Sequence, residues 1–417
     1  MHRLRKLQNG LRLITIPMRG TKTATVLVMV RTGSKYEDKK NNGISHFLEH
    51  MFFKGTIKRP NTLAIASELD KIGADFNAFT GKEYTGYWVK TESGQIELAL
   101  DVVSDMLLNS KFDAQEIERE KGVIIEEFNM YRDNPMMYIE DLFEELLYGD
   151  QPAGWDTIGT RKNILGFSRK DFVDYFNSQY GAQNTFVCLA GNIKNENSLI
   201  KKYFNNLKQS DFKNKLETKE KQDKPEIKLH YKKTDQVHLS LGVRAYLYGH
   251  KDEFALKILG IILGGSMSSR LFTELRERQG LAYSVRTQAE FYTDSGYLAT
   301  QAGVPIKKVD QAIKIILSEY NKIKDKKINI KELERTKSLL KGKMALQLES
   351  SDNMASWHCR SAILRDKILT PEEFLKKINK VRVSDIKRVA EDIFVNEKLN
   401  LAIIGPFRDK KKFKLSL

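Results

Sequence analysis

A pair of histidines with metal-ligand spacing is the feature of this sequence that points most directly to chemistry. His46 and His50 are four residues apart, and Glu49 between them completes the pattern H-x-x-E-H. Apolar residues at positions 44, 47, 48, 51 and 52 form one stripe of a predicted helix, so the two imidazoles lie one turn apart on its other side. Both could bind one Zn²⁺, and Glu49 could take a proton from an activated water. The pattern predicts a metal-dependent hydrolase, and two surface histidines on an ordinary helix are the alternative.

Two histidines are not enough, because a catalytic zinc ion takes a third protein ligand and keeps its fourth position open. Candidates lie in the acidic segment from Glu116 to Met130. Glu120 and Glu127 are seven residues apart, so they share one face of a predicted helix. A solvated helix face usually accounts for a single glutamate in such a segment. Spacing alone therefore leaves Glu120, Glu126 and Glu127 open as third ligand.

The elements that must position these residues fall into two similar halves. Residues 208–226 are polar and charge-dense, which predicts a linker between a catalytic zinc-binding domain of residues 1–207 and a homologous domain of residues 227–417. Each half ends with a capped amphipathic helix followed by an apolar strand that stops at a glycine, Gly191 or Gly405. This shared order indicates an internal duplication.

The order of elements also predicts the fold class. Both halves begin with alternating, strand-like runs, and longer helical patterns follow them. Strands and helices in segregated runs are typical of an α+β fold. We expect each domain to be a mostly antiparallel sheet with helices packed on one face.

Composition excludes several classes of protein. The chain has 417 residues, 41% hydrophobic, with only two cysteines, which excludes a collagen-like, low-complexity or disulfide-stapled protein. No apolar run approaches the roughly 18 residues of a transmembrane helix, so we expect no membrane span. We see no secretory signal, and Cys188 and Cys359 form no CxxC motif, so we expect a cytoplasmic protein with free thiols.

The net charge of +16 raises the possibility of a nucleic-acid partner. The excess lysines are spread over short clusters, such as 201–202 and 324–327, and no basic stretch is interleaved with aromatic residues. A solvated, lysine-rich surface explains this distribution more simply. We therefore expect no nucleic-acid partner, and a steep salt dependence of nucleic-acid affinity would argue against this view.

The residues around the histidine pair also resemble a known family. The run HFLEHMFFKGT from His46 to Thr56 is similar to the inverted zinc motif of the pitrilysin and insulinase metallopeptidases, especially the smaller branch with mitochondrial processing peptidase and its bacterial homologues. The family's third ligand corresponds in position to Glu127. The resemblance implies that His46, His50 and Glu127 bind one Zn²⁺ per chain, that Glu49 is general base and then acid, and that Glu120 supports the ligands.

Two further segments resemble the substrate-binding parts of that family. The run Asn77, Ala78 and Phe79 resembles an edge strand to which a peptide adds as an extra β-strand. Arg276 and Tyr283 match a family pair that contacts the substrate backbone and the tetrahedral intermediate. Without the resemblance, an ordinary sheet strand, a surface arginine and a packed tyrosine would be the simpler explanations.

The resemblance spans nearly the whole chain and implies an assembly. An ungapped overlay of the halves places Leu256, Leu259 and Gly260 against the histidine motif and Lys343 against Glu127, so the second half has no ligand set. The family fold closes four such domains around a chamber and this chain supplies two, which implies a homodimer, with a heterodimer as the alternative. The overall prediction is a zinc-dependent endopeptidase that cleaves unfolded peptides, and a non-catalytic scaffold subunit is the alternative function.

Overall fold

Two β-sheets of similar design form the frame of the computed structural model, which describes residues 2–417. The strands of the first sheet are Arg3–Lys6 (β1), Arg12–Pro17 (β2), Thr23–Val30 (β3), Asp75–Thr80 (β4), Thr85–Glu92 (β5) and Thr185–Gly191 (β6). They lie in the order β1-β2-β6-β3-β5-β4. Only β2 and β6 pair in parallel among these described strands.

The second sheet repeats this arrangement with five strands and no counterpart of β1. Its strands are Glu226–Tyr231 (β7), Gln236–Arg244 (β8), Val285–Phe291 (β9), Gly296–Pro305 (β10) and Leu399–Gly405 (β11), and they lie in the order β7-β11-β8-β10-β9. In both sheets the last strand of the half, β6 or β11, lies between two earlier strands and pairs in parallel with one of them. The structure thus confirms the predicted α+β fold with two homologous domains.

Fourteen helices are described in addition to short 3₁₀ turns and a π-helical segment, Phe272–Arg278. In the first half they are Ile44–Met51 (α1), Thr62–Asp70 (α2), Ile96–Asn109 (α3), Ala114–Asp133 (α4), Pro135–Tyr148 (α5), Arg161–Gly166 (α6), Arg169–Gln179 (α7) and Glu196–Phe204 (α8). In the second half they are Glu253–Gly264 (α9), Val309–Asp325 (α10), Ile330–Gln347 (α11), Ser351–Arg365 (α12), Pro371–Lys380 (α13) and Val383–Ile393 (α14). Within residues 2–417 no helix combines the length and the hydropathy that a membrane crossing needs.

Strand β3 shows why the first sheet needs more cover than its own half supplies. Seven of its eight residues are buried, and a continuous apolar strand requires packing on both faces. Helix α3 packs against β3 and β5. On the face that carries Leu27 and Met29, the covering helix is α12 from the second half of the chain, through Ala355, Cys359 and Ile363.

The second sheet receives a helix from the first half in the same way. Helix α5 packs against β7, β8 and β11. Its residues Ile139, Leu142 and Phe143 are buried in one cluster with Tyr297 and Ala402 of that sheet. The two halves have therefore exchanged one helix each.

This exchange changes the division of the chain into compact units. The first unit comprises the chain up to Asn129, Trp155–Leu216 and Ala345–Leu369, and the second comprises Met130–Gly154, Glu217–Met344 and Thr370–Leu417. The expected division was a contiguous one, into residues 1–207 and 227–417 with a linker at 208–226. Between 205 and 225 the structure has neither helix nor strand, but α5 and α12 cross this division because each buries its apolar side on the sheet of the other half.

Candidate metal centre

Helix α1 carries the histidine pair and is anchored at its N-terminus. Its apolar stripe is buried, which leaves His46 and His50 on the opposite side. Gly43 before the helix has φ 100°, and a Cβ there would lie 2.6 Å from a backbone carbonyl oxygen, so only glycine fits without strain. The buried carboxylate of Glu37 accepts hydrogen bonds from the backbone N–H groups of Gly43 and Ser45, both at 2.8 Å. These contacts fix the start of the helix that carries the two imidazoles.

The two histidines and Glu127 of α4 form a compact group with metal-ligand geometry. His46 Nε2 lies 3.6 Å from Glu127 Oε1, and His50 Nε2 lies 3.4 Å from Glu127 Oε2. Each residue offers one ligand atom, and the three atoms lie within 4.8 Å of one another. Ligands about 2.1 Å from a tetrahedral zinc ion are about 3.4 Å apart. The donor set and its spacing therefore fit a zinc ion with little rearrangement.

The structure distinguishes the three glutamates that spacing alone left as candidates for the third ligand. Glu127 faces the Nε2 atoms of both imidazoles. Glu120 lies on α4 seven residues before Glu127 and is buried. Its Oε1 lies 2.8 Å from His50 Nδ1. Glu126 is exposed. Glu127 therefore lies within 3.6 Å of the Nε2 atoms of both imidazoles, and Glu120 lies on the Nδ1 side of His50.

The charges of these groups reinforce one another. Burial lowers the pKa of His50, but hydrogen bonds to Glu120 and Glu127 outweigh it and raise the pKa to about 9. Hydrogen bonds from His46 and His50 hold the pKa of Glu127 well below its usual range. Burial raises the pKa of Glu120, but His50 and Lys54 outweigh burial, so the pKa of Glu120 is lowered. Two ionised carboxylates beside two imidazoles form an environment that attracts a divalent cation.

Glu49 lies beside the group and is held by a hydroxyl group. Thr80, the last residue of β4, donates a hydrogen bond from Oγ1 to Glu49 Oε2 at 2.5 Å. Burial raises the pKa of Glu49, while the Thr80 hydrogen bond and the two histidines act in the opposite direction. A carboxyl group with a raised pKa and a fixed orientation is suited to accept and release a proton.

Asn77, Ala78 and Phe79 lie on β4, which is the edge strand of the first sheet. Helix α1 packs against this strand, so the strand and the histidine pair are neighbours. Asn77 Oδ1 accepts a hydrogen bond from Ala78 N at 2.8 Å. An edge strand presents unpaired backbone groups that another extended chain can pair with.

Arg276 and Tyr283 are brought together in the second unit. Arg276 lies in the π-helical segment, and its Nη1 donates a hydrogen bond to the Tyr283 carbonyl oxygen at 2.9 Å. Its guanidinium group lies 4.9 Å from the centre of the Tyr283 ring and 5.0 Å from that of Phe272. The Tyr283 side chain is 78% exposed. The pair thus forms an accessible donor surface.

Sequence reasoning missed the residues that hold this centre in place. Glu37 caps α1, Thr80 fixes Glu49, and Lys54 lies 2.5 Å from Glu120 Oε2 through its Nζ atom. Lys54 does fall inside a segment that carries the family resemblance, and Thr80 directly follows another one. Nothing in the sequence pattern marks Glu37, since its contacts with α1 depend on the path of the preceding turn.

Comparison with known proteins agrees with this arrangement of the two halves. A family model described as insulinase, peptidase family M16, matches residues 12–161, and a model described as peptidase M16 inactive domain matches residues 166–340. The chain is 37% identical to a Bacillus subtilis protein called uncharacterized zinc protease YmxG, covering 96% of this chain and 97% of the relative. It is 34% identical to an uncharacterized zinc protease of Rickettsia felis, with the same coverage.

Solved structures have the same fold. A protease from Helicobacter pylori matches with a TM-score of 0.92 and 25% identity, over 97% of this chain and 99% of that one. A Pseudomonas fluorescens structure described as peptidase M16 inactive domain matches with a TM-score of 0.90 and 19% identity, over 98% of both chains, which shows the fold alone. Family models, relatives and the histidine motif together confirm the resemblance: the chain belongs to peptidase family M16, the insulinase or pitrilysin family.

Proposed function

We propose that the protein is a zinc-dependent endopeptidase that hydrolyses unfolded peptides or small polypeptides. The observation that supports this most strongly is the spacing of 3.4 and 3.6 Å between Glu127 and the Nε2 atoms of His50 and His46, which suits a tetrahedral zinc ion. The names of the relatives, zinc proteases in several bacteria, point the same way.

In this proposal His46, His50 and Glu127 hold one Zn²⁺, and Glu120 orients His50. When bound, zinc supplies a Lewis acid that activates water and stabilises negative charge on the substrate carbonyl oxygen. Glu49 takes the proton of the attacking water and delivers it to the leaving amine. Its raised pKa favours this exchange, because an acid and base in turn needs a pKa near the working pH.

The substrate in this proposal is an extended peptide added to β4. Asn77, Ala78 and Phe79 supply the backbone of that edge strand, and only an unfolded segment can lie along it. Arg276 offers several fixed donors, and the Tyr283 hydroxyl offers one, for the substrate backbone and the developing oxyanion. The first half is then the catalytic, zinc-binding half, and the second half binds substrate.

We also propose that the protein acts as a homodimer enclosing a chamber, with the partner's Arg276 and the partner's Tyr283 completing each site. Mixing Glu49→Gln chains with Arg276→Ala chains tests this. If sites are shared, each mixed dimer contains one intact site of two. Activity then returns to about half of wild type per mixed dimer, or about a quarter for a random mixture in which half of the dimers are mixed. No recovery, although sedimentation shows mixed dimers, would argue for sites completed within one chain. A wild-type monomer would overturn the homodimer itself.

The catalytic proposal is tested with a library of quenched-fluorescent peptides and two proteins, wild type and Glu49→Gln. Wild type should cleave, and Glu49→Gln should lose about 10²- to 10⁴-fold in rate while keeping its zinc. Equal cleavage by both would indicate a different active site. Zinc binding without cleavage by wild type would favour the non-catalytic scaffold.

A further inference from the structure

Behind His50 lies a chain of contacts that reaches beyond Glu120 to a lysine. We propose that Lys54 is a positioning residue of the metal centre, acting through Glu120 to hold the imidazole of His50 in its metal-binding orientation. This inference rests on the proposed zinc function and adds a residue to it. It predicts that Lys54 contributes to zinc affinity although it is not a ligand.

The geometry consists of three successive contacts. Lys54 Nζ lies 2.5 Å from Glu120 Oε2, Glu120 Oε1 lies 2.8 Å from His50 Nδ1, and His50 Nε2 faces Glu127 Oε2 at 3.4 Å. The two oxygens of Glu120 are thus used for two different partners. Because Lys54 holds one oxygen, the other is directed at His50.

Because Glu120 is buried, the loss of its contact with Lys54 should be costly. The Glu120 side chain is only 5% exposed, and that of Lys54 is 22% exposed. Water therefore has limited access to Glu120, and a lost lysine contact would leave one buried carboxylate oxygen poorly satisfied. The carboxylate would then be free to rotate towards another partner. Carboxylates that orient a ligating histidine typically change metal affinity about 10- to 100-fold when they are lost.

The second histidine has no comparable support. His46 Nδ1 is buried and makes no hydrogen bond within residues 2–417. Only His50 of the pair has a side chain fixing its outer nitrogen. The orientation of the whole centre therefore depends strongly on the contacts among Lys54, Glu120 and His50.

The neighbouring Lys58 provides a matched control. It lies four residues further along the loop that follows α1, forms an ion pair with Asp101, and its side chain is 58% exposed. Replacing Lys58 removes the same charge from the same stretch of chain but leaves Glu120 untouched. A general electrostatic effect of lysine on zinc binding would appear in both variants.

The experiment measures zinc dissociation constants of the full-length protein by competition with a chromophoric chelator. Lys54→Met should weaken zinc binding about tenfold or more, Lys54→Arg should stay within about threefold, and Lys58→Met should match wild type. Equal affinity of wild type and Lys54→Met would overturn the role of Lys54 and leave the zinc proposal intact. If wild type itself binds no zinc, the proposed function fails and this inference fails with it.

A double-mutant cycle separates positioning from loss of folding. If Lys54 acts through Glu120, then Lys54→Met combined with Glu120→Gln should bind zinc about as well as Glu120→Gln alone. Additive losses would show that Lys54 acts by another route and would overturn the proposal. This comparison also holds if Lys54→Met alone is poorly folded, because in the double variant no charged carboxylate is left without its partner.

Discussion

Apart from β1, which has no counterpart in the second sheet, the two sheets share one strand order, yet their neighbouring helices differ in chemistry. Helix α1 packs against the edge strand β4, and α9 packs against the edge strand β9. The side of α1 opposite its apolar stripe carries His46 and His50, which are partly buried and contact Glu127 of α4. In the overlay of the halves the corresponding positions of α9 are Leu256 and Gly260, and both are buried. The same framework therefore supports a helix with a histidine pair in one unit and a packed, apolar helix in the other.

The helices α4 and α11 show the same contrast. Glu127 of α4 faces the two imidazoles, whereas the overlay places Lys343 of α11 at that position. Lys343 donates a hydrogen bond to the Gly265 carbonyl oxygen at 3.3 Å. The carboxylate that contacts the two imidazoles in α4 thus corresponds to a lysine that contacts a loop in α11. The two units thus differ in a few side chains on a shared framework, and function depends on such side chains rather than on the fold alone.

Replacing the α4 glutamate by the residue found at the corresponding position of α11 should have the largest effect on zinc affinity and peptide cleavage. Glu127→Lys removes a ligand and places a positive charge beside the histidines, so zinc affinity should fall by at least about 100-fold and peptide cleavage with it. The reciprocal change, Lys343→Glu, should leave one zinc per chain, because α9 offers no histidine pair. Metal content by atomic absorption checks both. A second bound zinc in Lys343→Glu would contradict the view that only the first unit can hold the ion.

The raised pKa of His50 predicts a pH dependence that the second unit lacks, since burial lowers the pKa of His230 and His238. Zinc must displace a proton from His50 below pH 9, so zinc affinity should rise with pH by up to about tenfold per unit between pH 7 and 9. The folding stability of the metal-free protein should instead fall as pH rises over this range. The stability contributed by protonated His50 is fully present below pH 6.5 and is lost as pH rises to about 9.

Titration calorimetry in two buffers of different ionisation enthalpy measures the proton released on zinc binding. Thermal unfolding of chelator-treated protein at several pH values measures the pH dependence of its stability. Glu120→Gln removes a partner that raises the pKa of His50, so its zinc affinity should level off at a lower pH. Zinc affinity independent of pH from 7 to 9 would show that His50 is not protonated there.

The smallest expected effect concerns orientation of the base. Thr80→Val removes the hydrogen bond to Glu49, so kcat should fall about tenfold with zinc affinity unchanged, since a hydrogen bond to a charged group contributes about 1.5–3 kcal/mol. Thr85→Val is the matched control, because the Thr85 hydroxyl in the same hairpin donates to the Thr32 carbonyl oxygen instead. An unchanged kcat in Thr80→Val would show that Thr80 does not position Glu49 during the reaction.

Local patterns predicted much of the fold. The apolar stripe of α1 is buried as its spacing indicated, and the strand and helix order led to the correct class. The compact units are discontinuous along the chain, because α5 and α12 pack on the sheet of the other half, and the contiguous division at residues 208–226 stays a prediction. The continuous apolar character of Thr23–Val30 was a signal that both faces of this strand need cover, but it does not say which helix supplies it.

The sequence by itself determined that His46, Glu49 and His50 lie on one turn of a helix, because periodicity depends only on positions along the chain. It did not choose among Glu120, Glu126 and Glu127, and the family resemblance alone pointed to one of them. The tertiary structure decided that Glu127 faces both imidazoles and that Glu120 lies between His50 and Lys54. These distances depend on how α4 packs against α1, and packing between distant segments is set by the whole core rather than by local spacing.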